Sequence, residues 1–147
     1  EILVENNSLD DEWGHRVGDL RAVFSDCPEF RCCLDICHIK DDPEGRLVPF
    51  LEDELVAPRI HQIHFSYSPR NISGDPYEAH GFPGYDALHA FWSVAPESLS
   101  ERTAAALGRF PLVLEGVTPA GPEGMDLLRA EVALARKLGS HSPVVEA

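Results

Sequence analysis

The sequence predicts an α/β fold of parallel (β/α) units, four of them, which is half of an eight-stranded TIM barrel. Three observations predict it. Four short apolar runs alternate with stretches of helical periodicity, the pattern of a parallel sheet covered by helices. Each run ends in a side chain able to bind a metal: Ile2-Leu3-Val4 before Glu5, Cys32-Cys33-Leu34 before Asp35, Ile60-His61-Gln62-Ile63 before His64, and Leu112-Val113-Leu114 before Glu115. The steps from Glu5 to Asp35 and from Asp35 to His64 each match one strand–helix unit of about 30 residues. The longer step to Glu115 holds a long loop and an extra helix.

Taken in order, residues 1–5 are the first strand. Residues 12–25 read as a helix, with Trp13, Val17, Leu20, Val23 and Phe24 at helical spacing and Pro28 closing it. Residues 31–37 are the second strand, followed by the loop Lys40–Gly45. Leu47–Leu55 is a short helix bounded by Pro43 and Pro58, and residues 59–66 are the third strand. The polar stretch Tyr67–Gly84 contains Pro69, Gly74, Pro76, Gly81, Pro83 and Gly84, which forbids regular structure over most of its length. Tyr85–Val94 and Ser98–Leu107 read as helices, and residues 110–117 as the fourth strand. Met125–Leu138 is the last helix, with Leu127, Leu128, Val132, Leu134, Ala135 and Leu138 as its apolar stripe and Gly139 as its cap. The domain therefore spans 1–139, and Ser140–Ala147 is a loose tail.

The chain has 147 residues, enough for one domain with its own core. Its net charge is −13, from 25 acidic and 12 basic residues, which argues against a main role in gripping nucleic-acid phosphates. No apolar run approaches the roughly 20 residues of a membrane span, and no signal peptide is visible. The chain opens on a strand-like run without an initiator methionine, from which a missing N-terminal segment is expected. Cys27, Cys32, Cys33 and Cys37 read as reduced thiols acting as small core hydrophobes, and their spacing does not make a zinc site. A cytoplasmic location follows as the expectation.

Catalytic groups of a parallel barrel sit at the C-terminal strand ends, where Glu5, Asp35, His64 and Glu115 all fall. Oxygen and imidazole donors in this mix suit Mn²⁺, Mg²⁺, Zn²⁺ or Fe²⁺. Val4-Glu5-Asn6, Leu34-Asp35-Ile36-Cys37-His38, Ile63-His64-Phe65-Ser66, Glu78-Ala79-His80 with Pro83-Gly84, and Val113-Leu114-Glu115 resemble the xylose isomerase-like TIM-barrel superfamily. That superfamily holds sugar isomerases and epimerases and the endonuclease IV group of abasic-site endonucleases. The resemblance runs from the first residue to about Gly139 and implies strands five to eight of the barrel.

The resemblance further implies that Glu5, Asp35, His64 and Glu115 hold one metal. In the isomerase and epimerase members the two glutamates, Glu5 and Glu115 here, are also the acid–base pair; His38 is a further candidate catalytic residue, as a substrate hydrogen-bond donor or a metal ligand, with a loop cap as the alternative. A metal polarises the carbonyl and hydroxyl oxygens and lowers the cost of an enediolate, while a carboxylate on each face removes and returns the proton. In the endonuclease IV group, Glu5 bridges two metals, and His38, His80 and an acidic residue hold a further one. The acidic position is Glu78 here, where that group usually carries aspartate.

Other residues carry weaker signals. Tyr67 and Arg70 lie in the active-face loop, where they can contact a sugar or phosphate, and Lys40 is comparable. Asp75 reads as a turn residue before Pro76 and is the fallback ligand for Glu78. His61 points away from His64 and reads as structural. His15, His89 and His141 read as ordinary surface or packing residues, and Phe91-Trp92 as core. Three readings follow. The first is a metal-dependent sugar isomerase or epimerase-like enzyme with a small sugar-like substrate. The second is a zinc phosphodiesterase acting on abasic DNA. The third is an inactive half-barrel fragment. In each, the missing half-barrel or a second copy is the partner that closes the ring.

Overall fold

A computed structural model describes residues 2–7, 13–39, 43–66, 89–94, 96 and 99–139. The elements are β1 (Leu3–Glu5), α1 (Val17–Asp26), β2 (Arg31–Asp35), α2 (Pro43–Glu52), β3 (Ile60–Phe65), α3 (Glu101–Leu107), β4 (Leu112–Leu114) and α4 (Pro122–Gly139). Short 3₁₀ turns lie at Ile36–His38, Ala57–Arg59 and Trp92–Val94. The four strands form one parallel sheet in the order β1-β2-β3-β4. The predicted alternation of parallel strands and helices is therefore present.

Side chains alternate across each strand, and the two faces differ. Cys32, Leu34, Ile63 and Phe65 are buried against Leu20 and Phe24 of α1, Leu47, Phe50 and Leu51 of α2, Leu107 of α3 and Leu138 of α4. Trp92 stacks on Phe65 at 5.9 Å, and Phe91 is buried too, so this aromatic pair is core as expected. The opposite face carries Glu5, Cys33, Asp35, Gln62, His64 and Glu115, with Leu3 and Val113 each 40% exposed. A register shift sits between Cys32 and Cys33, which pair with Ile60 and Gln62. His61 is the extra residue on β3, and its side chain is exposed.

Several boundaries differ from the sequence reading, four of them where a polar side chain captures backbone N–H groups. The helix expected from residue 12 starts at Val17. Asp19 Oδ2 accepts hydrogen bonds from Gly14 N (3.1 Å) and Arg16 N (3.2 Å), which fixes a turn where the helix would have continued. Gly14 adopts φ +101°, open to glycine, and Trp13 is 59% exposed rather than packed. β2 stops at Asp35, whose Oδ1 accepts from Cys37 N at 2.7 Å. α2 starts at Pro43, a first-turn position where a missing N–H costs nothing. It stops before Asp53, whose Oδ1 accepts from Leu55 N (2.9 Å) and Val56 N (3.0 Å). α3 starts one residue after Ser100, whose Oγ accepts from Thr103 N. α4 begins at Pro122, and Gly139 is its last helical residue, not a cap.

The helix expected at Tyr85–Val94 is absent in its described part. Ala90 makes a bridge and Trp92–Val94 a single 3₁₀ turn. The amides of Trp92 and Ser93 are bonded to the Glu131 carboxylate, at 3.0 and 2.7 Å, instead of to a preceding helical turn. Residues 85–88, the loop 67–84 and the tail 140–147 lie outside the described residues. No helix of the described residues is long and apolar enough to cross a membrane.

Candidate metal centre

The parallel order brings Glu5, Asp35, His64 and Glu115 to one end of the sheet, each at or just after its strand's C-terminal end. Asn6 joins the first two strand ends. It is buried, its Nδ2 donates to Asp35 O at 2.9 Å, and its Oδ1 accepts from Asp35 N at 2.6 Å. Asp35 is held at its backbone by that amide and at one carboxylate oxygen by the Cys37 amide. Its other oxygen, Oδ2, remains to face three imidazoles. They are His38 Nε2 at 3.4 Å, His64 Nδ1 at 3.8 Å and His89 Nε2 at 3.8 Å.

The tautomer of His38 follows from its surroundings. Its Nδ1 lies 2.7 Å from Asn6 O, and a carbonyl can only accept, so Nδ1 carries the proton. In the neutral ring Nε2 then presents a lone pair to the Asp35 carboxylate. A proton or a metal cation between Nε2 and the carboxylate satisfies both. Nδ1 is also 3.4 Å from Glu5 Oε1, so Glu5, His38 and Asp35 form one candidate ligand group.

His64 joins a second group with Asp35 and Glu115. Its Nδ1 is enclosed and lies 2.6 Å from Glu115 Oε2, yet the approach does not have hydrogen-bond geometry. A buried polar atom close to two carboxylates, without a hydrogen bond, fits the donor set of a divalent ion. The four ligands of the sequence reading thus fall into two overlapping groups that share Asp35. His38 stands beside Glu5, and Glu5 and Glu115 leave 44% and 45% of their side chains exposed. Tyr67, Arg70, Glu78 and His80, with Lys40, Asp75 and His141, lie outside the described residues.

Three neighbours escaped the sequence reading. His89 is not on a helix and is not an ordinary surface residue. Its backbone carbonyl accepts from Val117 N at 2.8 Å, and its ring meets His38 edge-on with centroids 6.3 Å apart. Glu131 of α4 supports that segment from behind, and burial raises its carboxyl above the usual range against the pull of the Ser93 and Trp92 amides. Cys33 Sγ lies 3.1 Å from His64 Nε2. Asn6 stood inside a motif without an assigned role. The signal for Cys33 was its place two residues before Asp35, on the same face; nothing local marked His89.

The surroundings raise two of the thiols. Burial, then Cys33 and Glu5, push Cys32 up to about 12, and burial likewise raises Cys33, opposed by the hydrogen bond from Gln62. None of the four cysteines is in a disulfide, and Cys32, Cys33 and Cys37 are buried as the sequence reading expects. No protein-family model, curated protein or solved structure matches the chain.

Proposed function

We propose that the chain is a divalent-metal-dependent enzyme of the isomerase or epimerase type, acting by proton transfer at a carbon next to the carbonyl of a small sugar-like substrate. The observation that carries the reading is the enclosed His64 Nδ1, set between Glu115 and Asp35 without a hydrogen bond. Asp35, His64 and Glu115, with Glu5 from the adjacent group, would hold Mn²⁺, Mg²⁺, Zn²⁺ or Fe²⁺. Such an ion supplies polarisation of the substrate oxygens. The chain's own residues move the proton. Glu115 and Glu5 are exposed enough to reach substrate and come from opposite edges of the sheet. One removes the proton and the other returns it. His38, fixed by Asn6 O, orients Glu5.

In the same reading the sheet is half of a barrel, completed by further β/α units or by a second copy. The thiols, none of them in a disulfide, fit a reducing compartment such as the cytoplasm. The test is deuterium exchange from solvent into a panel of ketoses and aldoses, with metal-loaded and chelated protein. Exchange should require metal and fall by about 100-fold or more in Glu115→Gln, the scale of a lost general base. Unchanged exchange in that variant refutes the reading.

The second reading is a zinc phosphodiesterase acting on abasic DNA. The observation favouring it is that Asp35 belongs to both ligand groups and also faces His89, a richer imidazole set than one metal needs. Glu78 and His80 would complete the second ion's shell. This reading requires two or more zinc ions per chain and nicking of abasic duplexes. A single bound ion without nicking eliminates it.

A further inference from the structure

We propose that Cys33, as a thiolate, joins Glu5 and His64 Nε2 in holding a thiophilic ion of the zinc or ferrous class, through the ring nitrogen that the Asp35–His64–Glu115 group does not use. The inference rests on the metal-centre reading above, in which His64 uses Nδ1, and adds an ion at the other nitrogen of the same ring.

The geometry comes from the sheet register. Glu5 on β1, Cys33 on β2 and Gln62 on β3 are direct cross-strand neighbours, and His64 lies one same-face step further along β3. Cys33 Sγ is 3.1 Å from His64 Nε2, and Gln62 Nε2 lies 3.5 Å from both of those atoms. The donor atoms of Glu5, Cys33 and His64 all lie within 4.8 Å of one another. Donors on one tetrahedral zinc, at about 2.0–2.3 Å from the ion, stand roughly 3.5 Å apart, so this edge needs only a small adjustment. Gln62 donates a hydrogen bond to the sulfur, and such a bond favours a charged thiolate.

Position separates this thiol from its neighbours. Cys32 is as well buried but lies on the opposite face, in the apolar core with Leu20 and Phe24. Cys37 Sγ accepts a hydrogen bond from Ser66 Oγ at 3.0 Å and groups with Asp35 and His89, which makes it the rival sulfur. Ligation by Cys33 displaces the thiol proton to solvent as the S–metal bond forms, so metal uptake releases a proton. Thiolate favours Zn²⁺ and Fe²⁺, whereas Mg²⁺ requires a shell of oxygens.

The experiment is Co²⁺ titration of the purified chain, read by absorption, with zinc X-ray absorption of the unmodified protein beside it. Expected is a near-ultraviolet sulfur-to-cobalt charge-transfer band that disappears in Cys33→Ser and persists in Cys37→Ser. Zinc affinity should fall about 10- to 100-fold in Cys33→Ser. The zinc spectrum, which needs no variant to fold, should contain a sulfur shell at about 2.3 Å. Visible cobalt bands without charge transfer, and zinc without sulfur, overturn the role of Cys33 while leaving the metal centre standing. A band lost in Cys37→Ser but kept in Cys33→Ser assigns the sulfur elsewhere and also overturns it. Failure to bind either ion overturns the proposal and the metal-centre reading together.

Discussion

At the scale of single residues, the centre depends on Asn6 as much as on its ligands. Asn6 binds both the N–H and the C=O of Asp35, and both groups are buried. Asn6→Ala leaves them unpaired, at about 1–3 kcal/mol for each group left without a partner. Partners that orient a ligand typically contribute 10- to 100-fold to metal affinity. Asn6→Ala should therefore lower both urea stability and zinc affinity, measured by chemical unfolding and by competition with a chromophoric chelator. Lost stability with unchanged affinity would separate Asn6 from the metal. The ligand candidates were legible because strand ends are legible: an apolar run that stops at Glu5, Asp35, His64 or Glu115 states both element and direction. His89 was not legible. Its place beside Asp35 depends on the Val117 contact and on Glu131, both distant in sequence, and no local periodicity encodes that.

At the scale of elements, Asp53 is the joint between α1, α2 and β3. Its Oδ1 accepts the amides of Leu55 and Val56, while Oδ2 accepts from Arg21 at 2.7 Å. Burial pushes its carboxyl up, but the Arg21 bond and the two amides outweigh that and hold it below its ordinary value. The sign follows from linkage. A carboxyl depressed in the native state stabilises above its unfolded pKa of about 3.9, and that stabilisation disappears as pH falls through the native value. Asp53→Ala should cost about 1–2 kcal/mol near neutrality, the range for a lost cap, with the difference from the parent shrinking in acid. Arg21→Ala should cost less than Asp53→Ala, because Arg21 is largely exposed and solvent screens its charge. Urea titrations at neutral and acidic pH check both; equal losses would make the ion pair, not the cap, the larger contribution. Asp53 also shows why element identity was easier to read than element ends. Periodicity predicted every strand and the helices α1 to α4, but Asp19, Asp35, Asp53 and Ser100 moved the ends by capturing amides. The false helix at Tyr85–Val94 is the same effect over a longer range, with Glu131 taking amides 39 and 38 positions away.

At the scale of the whole molecule, the sheet is covered unequally. Parallel sheets are ordinarily buried on both faces; among the described residues the helices pack on one face, and the other buries Cys33 and Asp35 at its centre but exposes Leu3 and Val113 on its edge strands. β1 and β4 are also sheet edges, with backbone groups open to pairing. These exposed edge strands should therefore associate, with a second copy when the chain is studied alone. The charge opposes this: two copies at −13 repel each other, and salt screens that repulsion, with a Debye length of about 10 Å at 0.1 M. Association should consequently strengthen as salt rises, the reverse of a contact held by opposite charges. Metal adds a second lever, because a divalent ion on this face cancels part of the repulsion at the surface that is to be buried. An ion that binds the assembled form more tightly promotes assembly, and assembly in turn tightens the ion by the same factor. Sedimentation velocity across protein concentration, salt and zinc measures all of this directly. Val113→Lys, on the exposed β4 residue two positions before Glu115, should hold the chain as a monomer without altering its far-ultraviolet circular dichroism. A parent chain that stays monomeric at high salt with zinc bound would show instead that this half-covered sheet is stable as it stands.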